Sequence, residues 1–453
     1  MSEAPAARVR VDATTALGTR PVGRLLWNAS VQTTASVGVY GVYALTNAWF
    51  VAHGAGPAAL AAVNLVAPVL LVLGAVSTTV GAGGASLVSR SLGAGDPAAA
   101  ARAAGNAFTL FWTAAITVTV TGLLMLDPLL TVLGAEGATR APARAYAAIL
   151  LAGAVVATGF SSLVRAEGRL RFSTLLWLVG VLVQIILDPI LIFGLHMGVR
   201  GAAFGTVAGQ ALSTGMSMWF FFVQRRRPYR IRVADLRPHA PTLRALVATG
   251  APSLLAGLGA TALVLLVNTT LAASGQTVAL AAYAVCARLQ TFASMPHLGI
   301  SQGLQPVVGF NAGRGRTDRV LRARDLALRA SVLYGAMAAI VLIVFAVPLV
   351  GFFLRDPAAA ATAQQALRVI AAGLAFAGVT PLVSAYFQAL GRPKPSFLLS
   401  GGTLVAVKVP LVAALGALGP SGLWYALAAG ELLSAGVALV LLGRLGRHDM
   451  PQQ

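Results

Sequence analysis

The chain has 453 residues, of which 57% are hydrophobic and only 10% are charged. This composition, with repeated apolar runs of about 20 residues, excludes a soluble domain and predicts a polytopic helical membrane protein. The formal net charge of +20 could suggest nucleic-acid binding, but most of the basic residues lie in the termini and in alternate loops, a distribution typical of membrane topology.

Twelve transmembrane helices are predicted, joined by short loops marked by Gly, Pro and Asp. One longer basic stretch divides the chain into an N-terminal six-helix lobe (1–223), a basic cytoplasmic linker (224–244) and a C-terminal six-helix lobe (245–453). The predicted helices are 24–50, 58–86, 102–126, 140–164, 172–195, 200–223, 245–273, 278–305, 324–354, 358–389, 396–416 and 421–443.

The distribution of arginine predicts the orientation. Arginines are concentrated in the termini and after the even-numbered helices, so the positive-inside rule places both termini in the cytoplasm. Lysine occurs only at positions 394 and 408, and together with heavy alanine use this suggests a bacterial source, hence a multi-pass protein of the bacterial inner membrane. The single cysteine, Cys286, allows no intrachain disulfide.

An internal repeat relates the two predicted lobes. The segment ALAA at 59–62 recurs at 279–282, and the glycine pattern of 93–95 recurs at 313–315, so both matches share one offset. Six helices per repeat make both lobes run in the same direction through the membrane. The fold class is therefore predicted as all-α, with two pseudo-symmetric six-helix bundles and a transport path between them.

One carboxylate stands out within the apolar segments. Asp188 lies in GVLVQIILDPILIFGLH at 180–196, and an ionisable group in such a helix normally faces a partner or a pathway for ions or substrate. Pro189 removes a backbone donor next to it, and Gln184, four residues earlier, shares its helix face. A purely structural carboxylate is the alternative.

Six segments in the same order resemble the multidrug and toxic compound extrusion (MATE) family of secondary transporters. They are LAAVNLVAPV at 60–69, ASLVSRSLGAGD at 85–96, VRAEGRLR at 164–171, ILDPILIFGLHMGVRGAAFGTVAGQ at 186–210, GISQGLQPVVGFNAGRGR at 299–316 and FQALGRPKPS at 387–396. The resemblance implies twelve helices in two bundles and export of drugs in exchange for protons or sodium.

The resemblance also implies a cation site in the N-terminal lobe, similar to that of one prokaryotic branch of the family. Asp188 and Thr206 match its fifth- and sixth-helix positions. Asn47 stands where such proteins carry a first-helix aspartate, and Ser161 or its neighbour Ser162 stands where they carry a fourth-helix asparagine. Gln184 replaces a second asparagine on the fifth helix. One negative charge among neutral oxygen donors suits a proton or a sodium ion, and sodium at Asp188 is the one metal ion that we expect.

Other polar and aromatic residues are candidates for a substrate cavity. Lys408 and Glu431 lie on neighbouring predicted helices and are expected to pair, with a substrate contact for Glu431 as the alternative. Arg288 is expected to bind backbone carbonyls or Glu431. Aromatic side chains could receive a cationic drug, although helix packing or an interfacial position is the commoner explanation for such residues; they are Tyr283, Phe387 and Trp424.

The predicted function is secondary active antiport that exports small amphipathic or cationic compounds in exchange for protons or sodium by alternating access. A lipid-linked saccharide flippase of related architecture and an uncoupled paralogue are the alternatives. We expect no enzyme activity, because paired acidic motifs of the DxxxD type are absent from the sequence, and no cofactor. The expected partners are a small-molecule substrate and the lipid bilayer, without nucleic acid, and the protein is expected to be a monomer.

Overall fold

A computed structural model describes residues 13–157, 160–224, 227–273 and 275–448. Within these residues the regular structure is helical, with no strand. The α-helices are α1 Ala13–Thr19, α2 Val22–Gly54, α3 Pro57–Gly93, α4 Pro97–Leu124, α5 Leu126–Val132, α6 Arg140–Ala152, α7 Phe160–Ala166, α8 Leu170–Pro189, α9 Val199–Met218, α10 Ala240–Ala273, α11 Thr277–Gly313, α12 Thr317–Val344, α13 Ala346–Phe353, α14 Pro357–Ala377, α15 Val379–Ala389, α16 Pro393–Phe397, α17 Val409–Gly416 and α18 Pro420–His448.

Shorter helical turns interrupt or extend these helices. Turns of 3-10 type are found at Gly137–Thr139, Gly153–Val156 and Val233–Leu236, and π-helical turns at Ile190–Gly194, Trp219–Val223, Leu398–Gly402 and Leu404–Lys408. In the described part of the chain, ten helical segments are long and apolar enough to cross a membrane. The more polar α2 and α9, of 33 and 20 residues, are also long enough and complete the predicted set of twelve.

Several predicted boundaries were wrong in detail. The second and eighth helices, predicted to end at 86 and 305, continue to Gly93 and Gly313 because their small residues pack closely against the opposite half of the molecule. The fourth and tenth, predicted as continuous, each consist of two helices. The break in the tenth lies at Gly378, where the side chains of His297 and Ser331 approach so closely that no Cβ would fit.

The repeat is visible in the helix bounds. The helices α3 and α11 begin at Pro57 and Thr277 and both have 37 residues, and α4 and α12 begin at Pro97 and Thr317 and both have 28. Both pairs of starting positions differ by the offset of the ALAA repeat. Asp96 caps α4 through Ala99 N at 2.8 Å. The repeat therefore extends from local sequence to equal helix lengths.

The two halves meet at one end of the molecule, which we call the basic end because Arg90, Arg314 and Arg316 follow or end the helices there. Backbone approaches at that end need glycine: a Cβ on Gly93 would lie 2.0 Å from Phe310 O, and one on Gly313 would lie 2.0 Å from Arg90 O. Such spacing joins α3 and α11 tightly.

Hydrogen bonds across the same end add to this closure. Ser86 Oγ donates to Gln388 O at 2.6 Å, and Arg165 Nη2 donates to Gln302 Oε1 at 3.1 Å. The short helix α1 touches both halves, since its Thr14 hydroxyl donates to Glu167 O and its Leu17 carbonyl accepts from Asn311 Nδ2. Hydrophobic clusters that mix the two halves also lie at this end.

At the opposite end each half has a core of its own. One buried cluster extends from Val51 to Ala203 within the N-terminal half, and another from Val267 to Ala426 within the C-terminal half. Membrane helices associate mainly through close packing and hydrogen bonds. The two halves are therefore held together at the basic end, whereas at the other end each half packs on itself.

The connection between the halves begins docked against the N-terminal half. Arg227 forms a buried ion pair with Glu167 and stacks over Phe220 and Phe221. Burial, with the Glu167 carboxylate nearby, raises the pKa of the Tyr229 phenol well above its usual range, so the phenol stays neutral. Asn106 then binds the connection further along the chain, accepting from His239 N at 2.8 Å.

Candidate functional site

Asp188 lies in the interior of the N-terminal half, on the last turn of α8, and only 1% of its surface is exposed. After Pro189, the last residue of α8, the π-helical turn Ile190–Gly194 begins, as is common where a proline interrupts helix hydrogen bonding. On the facing helix α9, a Cβ on Gly205 would lie 2.0 Å from Asp188 Oδ1. The carboxylate therefore occupies the space that a side chain at 205 would need.

Next to this carboxylate, a hydroxyl joins three helices. Gln184 Nε2 donates to Thr206 Oγ1 at 2.6 Å, and Thr206 Oγ1 donates to Ala202 O at 3.0 Å. Tyr43 OH lies 3.3 Å from Thr206 Oγ1. A hydroxyl can donate one hydrogen bond and accept two. Since Thr206 Oγ1 already donates to Ala202 O, it accepts from both Gln184 Nε2 and Tyr43 OH, and its hydrogen-bonding capacity is filled.

Asn47 lies four residues after Tyr43 and thus on the same face of α2. Thr174 Oγ1 of α8 donates to Gln32 O of α2 at 3.3 Å, and Gly54 of α2 packs against Ile192 beyond α8. The two helices run in parallel between these contacts. Asn47 is fifteen residues after Gln32 and Asp188 is fourteen after Thr174, so the two side chains lie at the same level.

Two buried oxygens at this level lack a hydrogen-bond donor in the described structure, Asn47 Oδ1 and Asp188 Oδ1. A buried acceptor without a donor costs about 1–3 kcal/mol, and more when it is charged. A proton on the carboxylate, or a monovalent cation between neutral oxygens, would remove that cost. The arrangement thus suits exchange of a single positive charge.

The structure does not bring Ser161 to this level. Its hydroxyl accepts from Trp177 Nε1 at 3.0 Å, and its carbonyl accepts from Ser173 Oγ at 2.9 Å. Trp177 is eleven residues before Asp188, which corresponds to roughly 16 Å along a helix. Ser161 therefore joins α7 to the first half of α8.

The aromatic candidates for the substrate cavity lie in packed interior positions of the C-terminal half. Tyr283 stacks on Trp424 with ring centroids 6.0 Å apart, and Phe387 packs against Tyr386 at 5.5 Å. All three are buried in this conformation, and their contact with a substrate stays a prediction.

The intramembrane charges of the C-terminal half separate into one pair and one exposed arginine. Lys408 Nζ lies 2.6 Å from Glu431 Oε1, and the two side chains are 20% and 17% exposed. The expected pair is therefore formed. Arg288 is exposed on α11, and the described structure shows no hydrogen bond or ion pair between Arg288 and Glu431.

Sequence reasoning missed two members of the site. Tyr43 carries a signal, since it precedes Asn47 by one helical turn, but a tyrosine in an apolar helix is more often a packing residue. Gly205 precedes Thr206 directly. Its role in making room for Asp188 is seen only when α8 and α9 are packed together, so no local sequence pattern indicates it.

The MatE family model matches residues 35–190 and 252–413, more than half of the chain. The chain belongs to the MatE family. This identification confirms the predicted resemblance to MATE transporters and the fold of two six-helix bundles. The chain is thus a multi-pass membrane transporter of small molecules and not an enzyme.

The relatives of this MATE transporter extend over most of its length. It is 27% identical over 409 residues to the multidrug export protein MepA of Staphylococcus haemolyticus, covering 88% of this chain and 89% of that protein. It is 26% identical over 436 residues to an FAD transporter of Shewanella oneidensis, covering 94% and 95%.

A solved structure described as the outward-facing conformation of a multidrug resistance MATE transporter of the MOP superfamily is also similar. The TM-score is 0.90 at 25% sequence identity, over 97% of this chain and 99% of that one.

Proposed function

We propose that this transporter exports small amphipathic compounds in exchange for protons or sodium ions, and that Asp188 binds the coupling ion. The observation that supports this most directly is the pair of buried acceptor oxygens, Asn47 Oδ1 and Asp188 Oδ1, beside the hydrogen-bonded group of Tyr43, Gln184 and Thr206. Loading and release of one cation changes the charge enclosed between α2, α8 and α9.

Ion binding drives a conformational change only through its differential affinity for the two states. In the loaded state, Asp188 is neutralised and α2 can pack over it. In the empty state, the carboxylate needs donors, and movement of α2 gives it water. The bodies that move are the lobes 1–223 and 245–453, connected by 224–244, and a single chain acts as the functional unit.

The test is dye efflux in everted vesicles, energised in turn by a proton gradient and a sodium gradient. Asp188→Asn should fold and bind dye but show no gradient-driven transport, whereas Asp318→Asn, the same change at an exposed carboxylate, should behave as wild type. Wild-type rates in Asp188→Asn would exclude the residue from coupling. Wild-type efflux that ignores both gradients would identify an uncoupled paralogue.

We further propose that the basic end is cytoplasmic, which makes this conformation outward-facing. The positive-inside rule and the contacts that close that end support this orientation. In a Cys286→Ala background, cysteines at 230 and 449 should react with impermeant maleimide in everted vesicles and stay unlabelled in intact cells. Labelling in intact cells would reverse the orientation.

A further inference from the structure

Arg288 lies on the face of α11 that points toward the N-terminal half. Along this helix, Gly303 approaches Ser30, Gly299 approaches Thr34, and Met295 approaches Gly41 of α2. At about 100° per residue, positions 288, 295, 299 and 303 fall within a stripe about 80° wide on one face of the helix. The buried residues Tyr283 and Cys286 point to the other side, into the core of their own half.

The contacts along this stripe end before Arg288 is reached. Phe292, one turn deeper toward the basic end, still touches the Gly41 region but is 42% exposed, and Arg288, Ala284 and Ala281 beyond it are all exposed. The face is in contact at one end and exposed at the other, so α2 and α11 separate toward Arg288. We infer that Arg288 borders an opening between the halves.

The charge at this opening is not balanced by a carboxylate. In the described helices, the acidic groups deep within the membrane-spanning segments are Asp188 and Glu431. Asp188 is enclosed against Gly205 in the other half, and Glu431 is paired with Lys408. Arg288 therefore presents a positively charged guanidinium, with its fork of N–H donors, to the opening.

We propose that Arg288 is a substrate-binding residue that selects amphipathic anions, with a carboxylate or phosphate on the guanidinium and an apolar or aromatic body against Phe292. Arginine binds such groups through two parallel hydrogen bonds, and residues four apart on a helix present adjacent surfaces. This assignment rests on the proposed export function and specifies its substrate class.

Two dyes with the same xanthene core provide the test: fluorescein as the anion and rhodamine 6G as the cation. Each is offered to everted vesicles that contain the full-length protein, energised by whichever ion gradient supports transport. Wild type should accumulate fluorescein in preference to rhodamine 6G. Arg288→Gln should raise the KM for fluorescein roughly ten- to a hundredfold, the range expected from losing charge-assisted hydrogen bonds.

Arg288→Lys should retain part of the anion preference, and Arg288→Glu should invert it toward rhodamine 6G. Arg355→Gln removes the same charge from an exposed position after α13 and should leave both KM values unchanged. Wild-type transport of rhodamine 6G with no transport of fluorescein would overturn the anion assignment and leave export intact. Transport of neither dye would count against both.

Discussion

Replacing Gly205 with alanine perturbs the proposed coupling site without changing any of its polar groups. The new Cβ would lie 2.0 Å from Asp188 Oδ1, whereas an unstrained carbon–oxygen contact needs about 3.3 Å, so the carboxylate must move by more than about 1 Å. Overpacking of this kind costs about 1–3 kcal/mol. The proposed ion site would thus be both destabilised and displaced from Asn47 and Thr206.

Gly215→Ala is the matched control, because Gly215 lies on the same helix with no neighbour within 4 Å. Alanine there should stabilise the helix by about 0.5–1 kcal/mol. In detergent, the Tm of Gly205→Ala should fall and that of Gly215→Ala should stay level or rise. In vesicles, only Gly205→Ala should lose gradient-driven efflux. Unchanged Tm and unchanged ion dependence in Gly205→Ala would refute the described packing of Asp188.

Two further predictions concern charges elsewhere in the membrane. Glu431→Gln should lower the Tm because it leaves Lys408 unpaired. Adding Lys408→Met to that variant should recover most of the lost Tm. If the effects of the two substitutions on stability simply add, the pair is not coupled. Arg165→Gln should weaken closure of the basic end, because it removes the guanidinium contact with Gln302. A cysteine that replaces Ser86 should then react faster with maleimide, and Arg165→Lys should give a smaller increase in that rate. Equal labelling rates with Arg, Gln and Lys at position 165 would contradict this role.

The sequence predicted the membrane helices well because each needs a long apolar run, and that requirement is local. It also placed Gln184 and Asp188 on one face, since helical periodicity alone determines this. It could not tell which face of a helix packs inward, and so Tyr283 and Trp424 were considered for a cavity although they stack in a core. The position of Ser161 depends on the path of α7, which no local pattern reveals.

Two pairs of related helices, α3 with α11 and α4 with α12, have equal lengths. The two halves nevertheless differ in charge at related positions, and this difference favours one site for coupling. In the alignment that pairs Gly201 with Gly422, Asp188 corresponds to Val409, which follows Lys408, and Gln210 corresponds to Glu431. The C-terminal positions form a pair whose charges already cancel, so ion binding there would first have to break a 2.6 Å contact. Among the described residues, Asp188 Oδ1 is buried with no donor and the carboxylate has no ion-pair partner, so one proton or sodium ion would change its net charge from −1 to zero. We therefore infer that ion-gradient energy enters through the N-terminal half, while Lys408 and Glu431 maintain the packing of the other half during the cycle.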